Sequence, residues 1–448
     1  MKKIILTVIL IASCSVFGQT NPVITKWLQN TTTTGFYYMS GNSTPISHGI
    51  LVNCQQVRFS TSSVYVNATG LPAYKVGPYL DGNPNQAGNQ NAIYKFPLVP
   101  TPNTGTLSPT TGGNIGVFIN GVSMYDFRDG VAWNTTTNAP CGGPGNPTCT
   151  GTPAWYRDAI IAERPGFDCS KGHPGGTNYH HHQNPSAFDM DLLVLSNICN
   201  LYDADGLYTI NTAQHSPLIG FAYDGYPVYG AYGYTNADGS GGITRIKSGF
   251  QLRNITVRTL AADGTDVADG PAVSTSYPLG YYREDYEWIA HPTDPSYLDV
   301  HNGRFCVTPE YPAGTYCYFA TVDANHNSAY PYLIGPTYYG NKTGIKVTTV
   351  TETTTTYLAN DGFNLASTVI KVFPNPTSDI IAIQIDGLIT EECAVDLYDI
   401  AGKKIRSTLI NQGQTIAYLD VQDVYDGVYF VKIKNKNSEK TFKIILKK

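Results

Sequence analysis

Four of the nine histidines of this chain lie within residues 171–188, in the sequence KGHPGGTNYHHHQNPSAF. His180 and His182 are two residues apart, so on a β-strand their side chains point to one face and that of His181 points to the other. The Pro-Gly-Gly-Thr-Asn segment between His173 and the triplet can turn the chain back and place His173 beside the pair. Imidazole nitrogens grouped in this way are ligands for zinc or copper. The spacing therefore predicts a metal site, and a solvated polar loop without metal is the alternative.

Other residues can complete such a site or perform chemistry on it. His215 begins an apolar run and is a candidate third or fourth ligand. Glu163 and Asp224 can supply an oxygen ligand, a hydrogen-bond partner for a ligand, or a general base. Tyr179 can donate a hydrogen bond to a developing oxyanion. Three histidines leave a tetrahedral position for water and predict metal-assisted hydrolysis, whereas four histidines close the site and predict a structural metal.

The tyrosine-rich run YDGYPVYGAYGY, residues 223–234, has two interpretations. Its alternation of apolar and small residues around Asp-Gly predicts core and turn in a β protein. The alternative is a surface platform for a glycan or another cell-surface polymer, which would make the protein a non-enzymatic adhesion protein. No nucleophile elbow of the type G-x-S-x-G occurs. The isolated histidines are expected to be structural, and they are His48, His291, His301 and His326.

The composition predicts a mainly β protein. Charged residues make up only 14% of the chain, whereas it contains 33 tyrosines and 44 glycines, which suits strands joined by turns rather than long amphipathic helices. The best helix candidate is short, within residues 153–166, and Pro165 ends it. A formal net charge of −5 gives no reason to expect nucleic-acid binding. We expect a β-rich body with short helices over residues 19–346.

The N-terminal segment has the pattern of a secretory signal peptide, residues 1–18. Two lysines precede a short apolar run, and small residues follow it. Cleavage after Gly18 is expected, and lipidation of Cys14 at a lipobox-like sequence is the alternative. No other stretch has the length and hydropathy of a transmembrane segment. We therefore expect an exported protein.

Export permits disulfides, and removal of the signal leaves eight cysteines. Cys54 and Cys393 are expected in different domains and are not expected to pair. The three pairs that spacing favours are Cys141–Cys149, Cys169–Cys199 and Cys306–Cys317.

A composition break follows the body. Residues 347–370 are Thr-rich and are expected to form a linker, and residues 371–448 alternate apolar and polar side chains, which predicts a small antiparallel β-sandwich. The motifs VFPNPTSD, VDLYDIAGKKI and DGVYFVKI of this tail resemble the C-terminal sorting domain of the bacterial type IX secretion system. The resemblance implies recognition by that secretion machinery, and a final location outside the cell or on its outer surface.

Motifs of the body resemble the YHYH-protein family. They include GHPGGTNYHHHQNP, HSPLIGFAYDGYPVYGAYGY, LDVHNGRF and YPYLIGP, and they occur in order over most of residues 52–336. One departure is that the naming tetrad is Tyr179-His180-His181-His182, with a histidine in place of the second tyrosine. The resemblance implies a domain with a histidine-centred site, and it implies no particular reaction or substrate.

Overall fold

The computed structural model describes residues 21–79, 85–143, 145–186, 199, 206–357, 368–385, 389, 392–411, 414–435 and 438–448. The expected signal peptide, with its cleavage site and Cys14, lies outside these residues.

Helices are few and short in the described part of the chain, and none is long and apolar enough to cross a membrane. The Asp158 carboxylate caps helix α2, Ala159–Glu163, by accepting hydrogen bonds from Ile160 N (2.8 Å) and Ile161 N (3.2 Å). Pro165 follows in a 3₁₀ turn, because a proline cannot continue the α-helical hydrogen bonding. The helical elements are α1 Pro22–Thr25, α2 Ala159–Glu163, and the 3₁₀ turns Arg164–Gly166 and Arg283–Asp285.

The body is built from short strands. The first twelve are β1 Thr34–Met39, β2 Asn42–Leu51, β3 Cys54–Phe59, β4 Ser63–Ala68, β5 Ala92–Pro97, β6 Asn114–Phe118, β7 Ser123–Tyr125, β8 Arg128–Asn134, β9 Ala139–Cys141, β10 Tyr156–Asp158, β11 His173–Gly175 and β12 Asn178–His181. The next ten are β13 Leu218–Ala222, β14 Pro227–Tyr229, β15 Tyr232–Tyr234, β16 Ile243–Arg245, β17 Phe250–Leu252, β18 Tyr286–Trp288, β19 Gly303–Cys306, β20 Thr315–Phe319, β21 Ile345–Val347 and β22 Thr355–Tyr357.

Two sheets form the centre of the body. The larger has the order β11-β12-β7-β6-β13-β14-β20-β19, with parallel pairs at β12–β7 and β14–β20, and the smaller has the order β21-β5-β4-β3-β22. Trp27 joins them, with ring centroids 5.2 Å from Phe96 of β5 and 5.3 Å from Phe221 of β13. Both sheets contribute to one hydrophobic core. The histidine hairpin β11–β12 therefore stands at one edge of a sheet that this core supports.

The tyrosine-rich run lies in this core. Every residue of its strand β14 is buried, and Tyr229 is completely inaccessible. The core-and-turn interpretation of the run is therefore confirmed for this strand.

The C-terminal tail is an antiparallel β-sandwich, as the alternation predicts. Its strands are β23 Ile370–Phe373, β24 Ile380–Ile385, β25 Cys393–Tyr398, β26 Lys404–Ile410, β27 Ile416–Asp420, β28 Gly427–Lys434 and β29 Glu439–Leu446. They form two sheets with the orders β23-β24-β27 and β26-β25-β28-β29, and apolar residues of both sheets share one core.

The first part of the expected linker belongs to the body's smaller sheet. Strand β22 pairs antiparallel with β3, with Thr355 opposite Phe59, and the Tyr65 hydroxyl donates a hydrogen bond to the Glu352 carboxylate. The body thus extends to Tyr357 rather than ending at residue 346, because threonine-rich sequence also suits an edge strand.

Two of the three expected disulfides are present. Cys141 is bonded to Cys149, and Cys169 is bonded to Cys199. The expected bond between Cys306 and Cys317 is wrong, since both are free buried thiols, as are Cys54 and Cys393. The register of β19 and β20 explains the difference: Cys306 stands opposite Thr315, and Cys317 stands opposite Arg304. The two thiols are therefore on diagonal rather than directly opposite positions of the strand pair.

Candidate metal centre

The histidine hairpin positions two imidazoles directly across from one another. Strands β11 and β12 pair antiparallel with His173 opposite His180. Gly176 has a φ of +62°, a left-handed conformation that suits glycine at this tight turn. Strand alternation places His180 and His182 together, with their ring centroids 4.8 Å apart. The turn and the same-face pair are thus as the spacing predicts.

Helix α2 brings a carboxylate to the hairpin. Glu163 is the last residue of the helix, whose first turn is fixed by the Asp158 cap. The Tyr332 hydroxyl donates a 2.8 Å hydrogen bond to the same Asp158 carboxylate and so ties the start of the helix to the rest of the body. A five-residue helix is too short to be stable alone, so these contacts determine where Glu163 lies.

Four side chains converge into what we call the His₃Glu cluster, composed of Glu163, His173, His180 and His182. One potential ligand atom from each lies within 4.8 Å of all the others. Glu163 Oε2 is 2.8 Å from His173 Nε2 and 3.1 Å from His182 Nε2, and His180 Nε2 is 3.1 Å from His182 Nε2. All three histidines are buried, whereas the Glu163 side chain remains 21% exposed.

Backbone carbonyls orient two of the imidazoles. His180 Nδ1 donates a 2.9 Å hydrogen bond to the carbonyl oxygen of Asn178, and His182 Nδ1 donates to the carbonyl oxygen of Asp126. A carbonyl can only accept, so both Nδ1 atoms carry a proton and the Nε2 atoms are left to the cluster. This is the arrangement that second partners impose on metal-binding histidines.

Aromatic rings surround the cluster. The Tyr125 ring stacks on His180 with centroids 3.8 Å apart, and the Phe167 ring meets His173 edge-on at 5.0 Å. These rings restrict the rotation of the imidazoles and keep water from most of their surface. The cluster is therefore held in place both by hydrogen bonds and by packing.

The alternate side chains of β12 point away from the cluster and anchor the strand. The Tyr179 hydroxyl lies 3.0 and 3.1 Å from the two oxygens of the buried Asp168 carboxylate. His181 Nδ1 donates a 2.9 Å hydrogen bond to the carbonyl oxygen of Lys171, and its Nε2 lies 2.6 Å from the Tyr74 hydroxyl. The tetrad 179–182 is thus divided between an anchoring face and a ligand face.

Burial and neighbouring charges shift the protonation equilibria of the site. Burial, together with the charges of His182 and His173, places the pKa of His180 well below its ordinary value, so its imidazole is neutral near pH 7. Burial lowers the pKa of His181 to about 3. Burial alone would raise the pKa of Glu163, but the adjacent His182 and His173 outweigh it and bring that pKa far below the usual range. A neutral imidazole beside an ionised carboxylate is the protonation state that metal binding requires.

Three residues with predicted roles lie elsewhere. The His215 ring packs on Tyr229 and Tyr234, with centroids 5.2 and 5.0 Å away, and it is not a member of the His₃Glu cluster. Asp224 is buried and accepts hydrogen bonds from the Tyr318 hydroxyl and Gly340 N, so it is not placed to act as a base at the cluster.

The third is Tyr179, whose hydroxyl is engaged by Asp168 on the anchoring face. Strand alternation directs it away from the side that a reacting oxyanion would occupy. Of the seven predicted site residues, the structure thus brings together Glu163 and three of the four histidines.

Sequence reasoning missed the residues that hold the ligands. Asp168 and Tyr74 anchor β12, and the carbonyl oxygens of Asp126 and Asn178 orient the imidazoles. A carbonyl acceptor carries no side-chain signal, so only the fold reveals it. Asp168 directly precedes Cys169, just before the histidine segment. That position is the one sign in the sequence that Asp168 could support the site.

Comparison with known families agrees with this geometry. Residues 93–331, just over half of the chain, match the family described as YHYH protein, and residues 371–447 match the secretion system C-terminal sorting domain. Among curated proteins, none matches the chain. The matched body region contains the whole His₃Glu cluster, and the matched tail is the β-sandwich. The chain therefore belongs to the YHYH protein family, and its type IX sorting domain marks it as exported, either secreted or attached to the outer cell surface.

Proposed function

We propose that this exported protein binds one transition-metal ion through the His₃Glu cluster. Imidazole with a single carboxylate is a donor set that suits zinc, with copper as the alternative. For four ligands 2.0–2.1 Å from a tetrahedral ion, neighbouring donor atoms are about 3.3 Å apart. Three of the six donor–donor distances, 2.8, 3.1 and 3.1 Å, are close to that spacing, and all four donor atoms lie within 4.8 Å of one another.

The observation that carries the proposal is the 3.1 Å approach of His180 Nε2 to His182 Nε2. Because both Nδ1 atoms donate to carbonyls, each Nε2 atom presents a lone pair to the other whenever both rings are neutral. Two lone pairs at this distance repel unless a cation lies between or beside them. A metal ion satisfies both nitrogens and the carboxylate of Glu163 together, and a shared proton is the competing explanation.

The Glu163 carboxylate supports the metal over the proton. Its Oε2 is buried, and two imidazole nitrogens lie within 3.1 Å of it. A metal ion would engage the carboxylate and both nitrogens together, whereas one shared proton joins only two of these atoms.

A hydrolytic role is the second candidate, and the exposure of Glu163 favours it. Its side chain is the most accessible of the cluster, at 21%. Hydrolysis needs an open coordination position and a general base. If Glu163 leaves the metal, it opens a coordination position and can itself serve as the general base. With Glu163 coordinated, four protein ligands close the site and the metal is structural.

Metal analysis of the purified mature protein tests the proposal. We expect about one zinc or copper ion per chain, and loss of that ion in the double variant His180→Ala/His182→Ala. His215→Ala and His291→Ala are matched controls outside the cluster, and both should keep the ion. Equal metal content in the wild type and the double variant would overturn the proposal and favour the shared proton.

A further inference from the structure

A second candidate site lies near the opposite edge of the eight-stranded sheet. A pocket of about 310 Å³ opens between residues 98–102, the turn at residues 225–227 and strands β19 and β20. Four strands separate β20 from β12, which places the two strands roughly 24 Å apart. The pocket is therefore distinct from the His₃Glu cluster.

The lining of the pocket is uncharged and ring-rich. None of its fourteen lining residues is charged, and five of them are aromatic. These five are Tyr226, Phe305, Tyr311, Tyr316 and Tyr339. A pocket without charge offers nothing to balance the charge of an acidic or basic ligand, whose desolvation would then oppose binding.

One wall of the pocket is preorganised. Tyr316 and Tyr339 stack with centroids 3.6 Å apart, and Tyr226 packs edge-on to both at 5.5 and 5.4 Å. The Tyr316 hydroxyl is fixed by the Asp299 carboxylate, 2.8 Å away. A rigid wall needs little reordering when a ligand arrives, which favours affinity.

The mouth of the pocket exposes apolar side chains. Phe305 is 60% exposed and Val99 is 71% exposed. Alternation along β19 turns Phe305 outward while Cys306 is buried. Exposed apolar groups around a concave, aromatic-lined depression are typical of ligand-binding sites.

We propose that this pocket binds one or two sugar rings of an uncharged glycan. A pyranose presents a flat C–H face that packs on an aromatic ring, and Phe305 offers such a ring at the mouth. Tyr311, Tyr339 and Thr315 line the pocket and carry hydroxyl groups that can donate to and accept from sugar hydroxyls. An extended peptide would need backbone partners instead, and three of the lining residues are prolines, which have no N–H to donate.

The test is binding of the mature protein to an array of neutral and acidic oligosaccharides, followed by calorimetric titration of the best neutral one in EDTA. Phe305→Ala should weaken binding by roughly tenfold or more, the effect of removing one aromatic contact. Tyr418→Ala is the matched control, because Tyr418 is equally exposed at 59% but lies in the tail sandwich. It should bind as the wild type does.

A second variant, Val99→Asp, places a charge at the mouth and should also reduce binding while leaving the melting temperature unchanged. Absence of neutral-glycan binding, preference for acidic glycans, or unchanged affinity in Phe305→Ala would each overturn the proposal. Because the titration is done in EDTA, its result is independent of whether the His₃Glu cluster holds a metal.

Discussion

At the scale of single residues, strand alternation places the side chains of the tetrad Tyr179-His180-His181-His182 on two opposite faces. His180 and His182 face Glu163, whereas Tyr179 and His181 face Asp168 and Tyr74. Substitution of a histidine for the family's second tyrosine therefore falls on the anchoring face. Since Tyr74 and the Lys171 carbonyl satisfy both nitrogens of His181, the change leaves the ligand face intact.

Glu163 is the residue that separates a structural site from a hydrolytic one. Glu163→Gln replaces an anionic ligand by a neutral amide, so we expect metal affinity at least about tenfold weaker. Titration with Zn²⁺ measures it, with Glu287→Gln of strand β18 as control. Metal binding that stays at the wild-type level while hydrolysis of a model ester is lost would assign Glu163 to base catalysis instead.

His215 gives the protein a pH dependence unrelated to metal. Burial lowers the pKa of His215 below the ordinary histidine value of about 6.5, so between the two pKa values the unfolded state binds more protons than the native state. Stability that is present above about pH 6.5 is therefore lost as the pH falls.

Urea denaturation at pH 8 and pH 5 measures this effect. We expect His215→Gln to lose less unfolding free energy between the two pH values than the wild type loses. Other buried histidines add to the wild-type loss, so the difference between the proteins is the informative quantity. Identical losses would show that His215 is not held neutral in the native state.

At the scale of elements, short-range patterns predicted the local structure well. The Pro-Gly-Gly-Thr-Asn turn gave the β11–β12 hairpin, and Asp158 and Pro165 bound the short helix. The positions of distant strands relative to one another could not be inferred from the sequence. His215 precedes β13, which lies three strands from β12 in the sheet, roughly 14 Å away. Nothing in one sequence reveals the order of strands, so the apolar run that begins at His215 could not show that this histidine lies outside the cluster.

The turn that precedes β11 is the element that holds the hairpin. The Asp168 carboxylate accepts from Gly77 N (2.7 Å), Ser170 N (2.9 Å), Gly172 N (3.0 Å) and the Tyr179 hydroxyl. In Asp168→Asn an amide NH₂ group replaces one acceptor oxygen, so that a hydrogen-bond donor faces these donors.

We expect Asp168→Asn to lose about 1–3 kcal/mol of unfolding free energy and to bind metal more weakly. Chemical denaturation and Zn²⁺ titration measure the two effects. Asp238→Asn, at an exposed turn, is the control and should change neither. Wild-type stability in Asp168→Asn would mean that the hairpin is held by other contacts.

At the scale of the whole molecule, the described residues form one large core with two smaller apolar clusters in the body, and a separate core in the tail. The tail's strands pair among themselves within the described residues. Alternation and turn residues were sufficient to predict the tail sandwich. The end of the body could not be placed in the same way, because the Thr-rich segment has no core-facing pattern and its strand β22 is defined only by its partner β3.

Truncation tests this boundary. A chain ending at residue 357 keeps β22 and should retain the melting temperature of the body, whereas one ending at residue 350 loses β22 and Glu352 and should melt at a lower temperature. Differential scanning calorimetry measures both. A large drop for the longer chain would mean that the tail packs against the body and stabilises it.

X-ray absorption at the metal edge of the purified, metal-loaded protein tests the central claim most directly. The His₃Glu cluster predicts three imidazole nitrogens and one carboxylate oxygen about 2.0–2.2 Å from the ion, with loss of imidazole scattering in His180→Ala/His182→Ala. Fewer than three imidazoles in the wild type, a sulfur ligand at about 2.3 Å, or a protein that takes up no metal would contradict it.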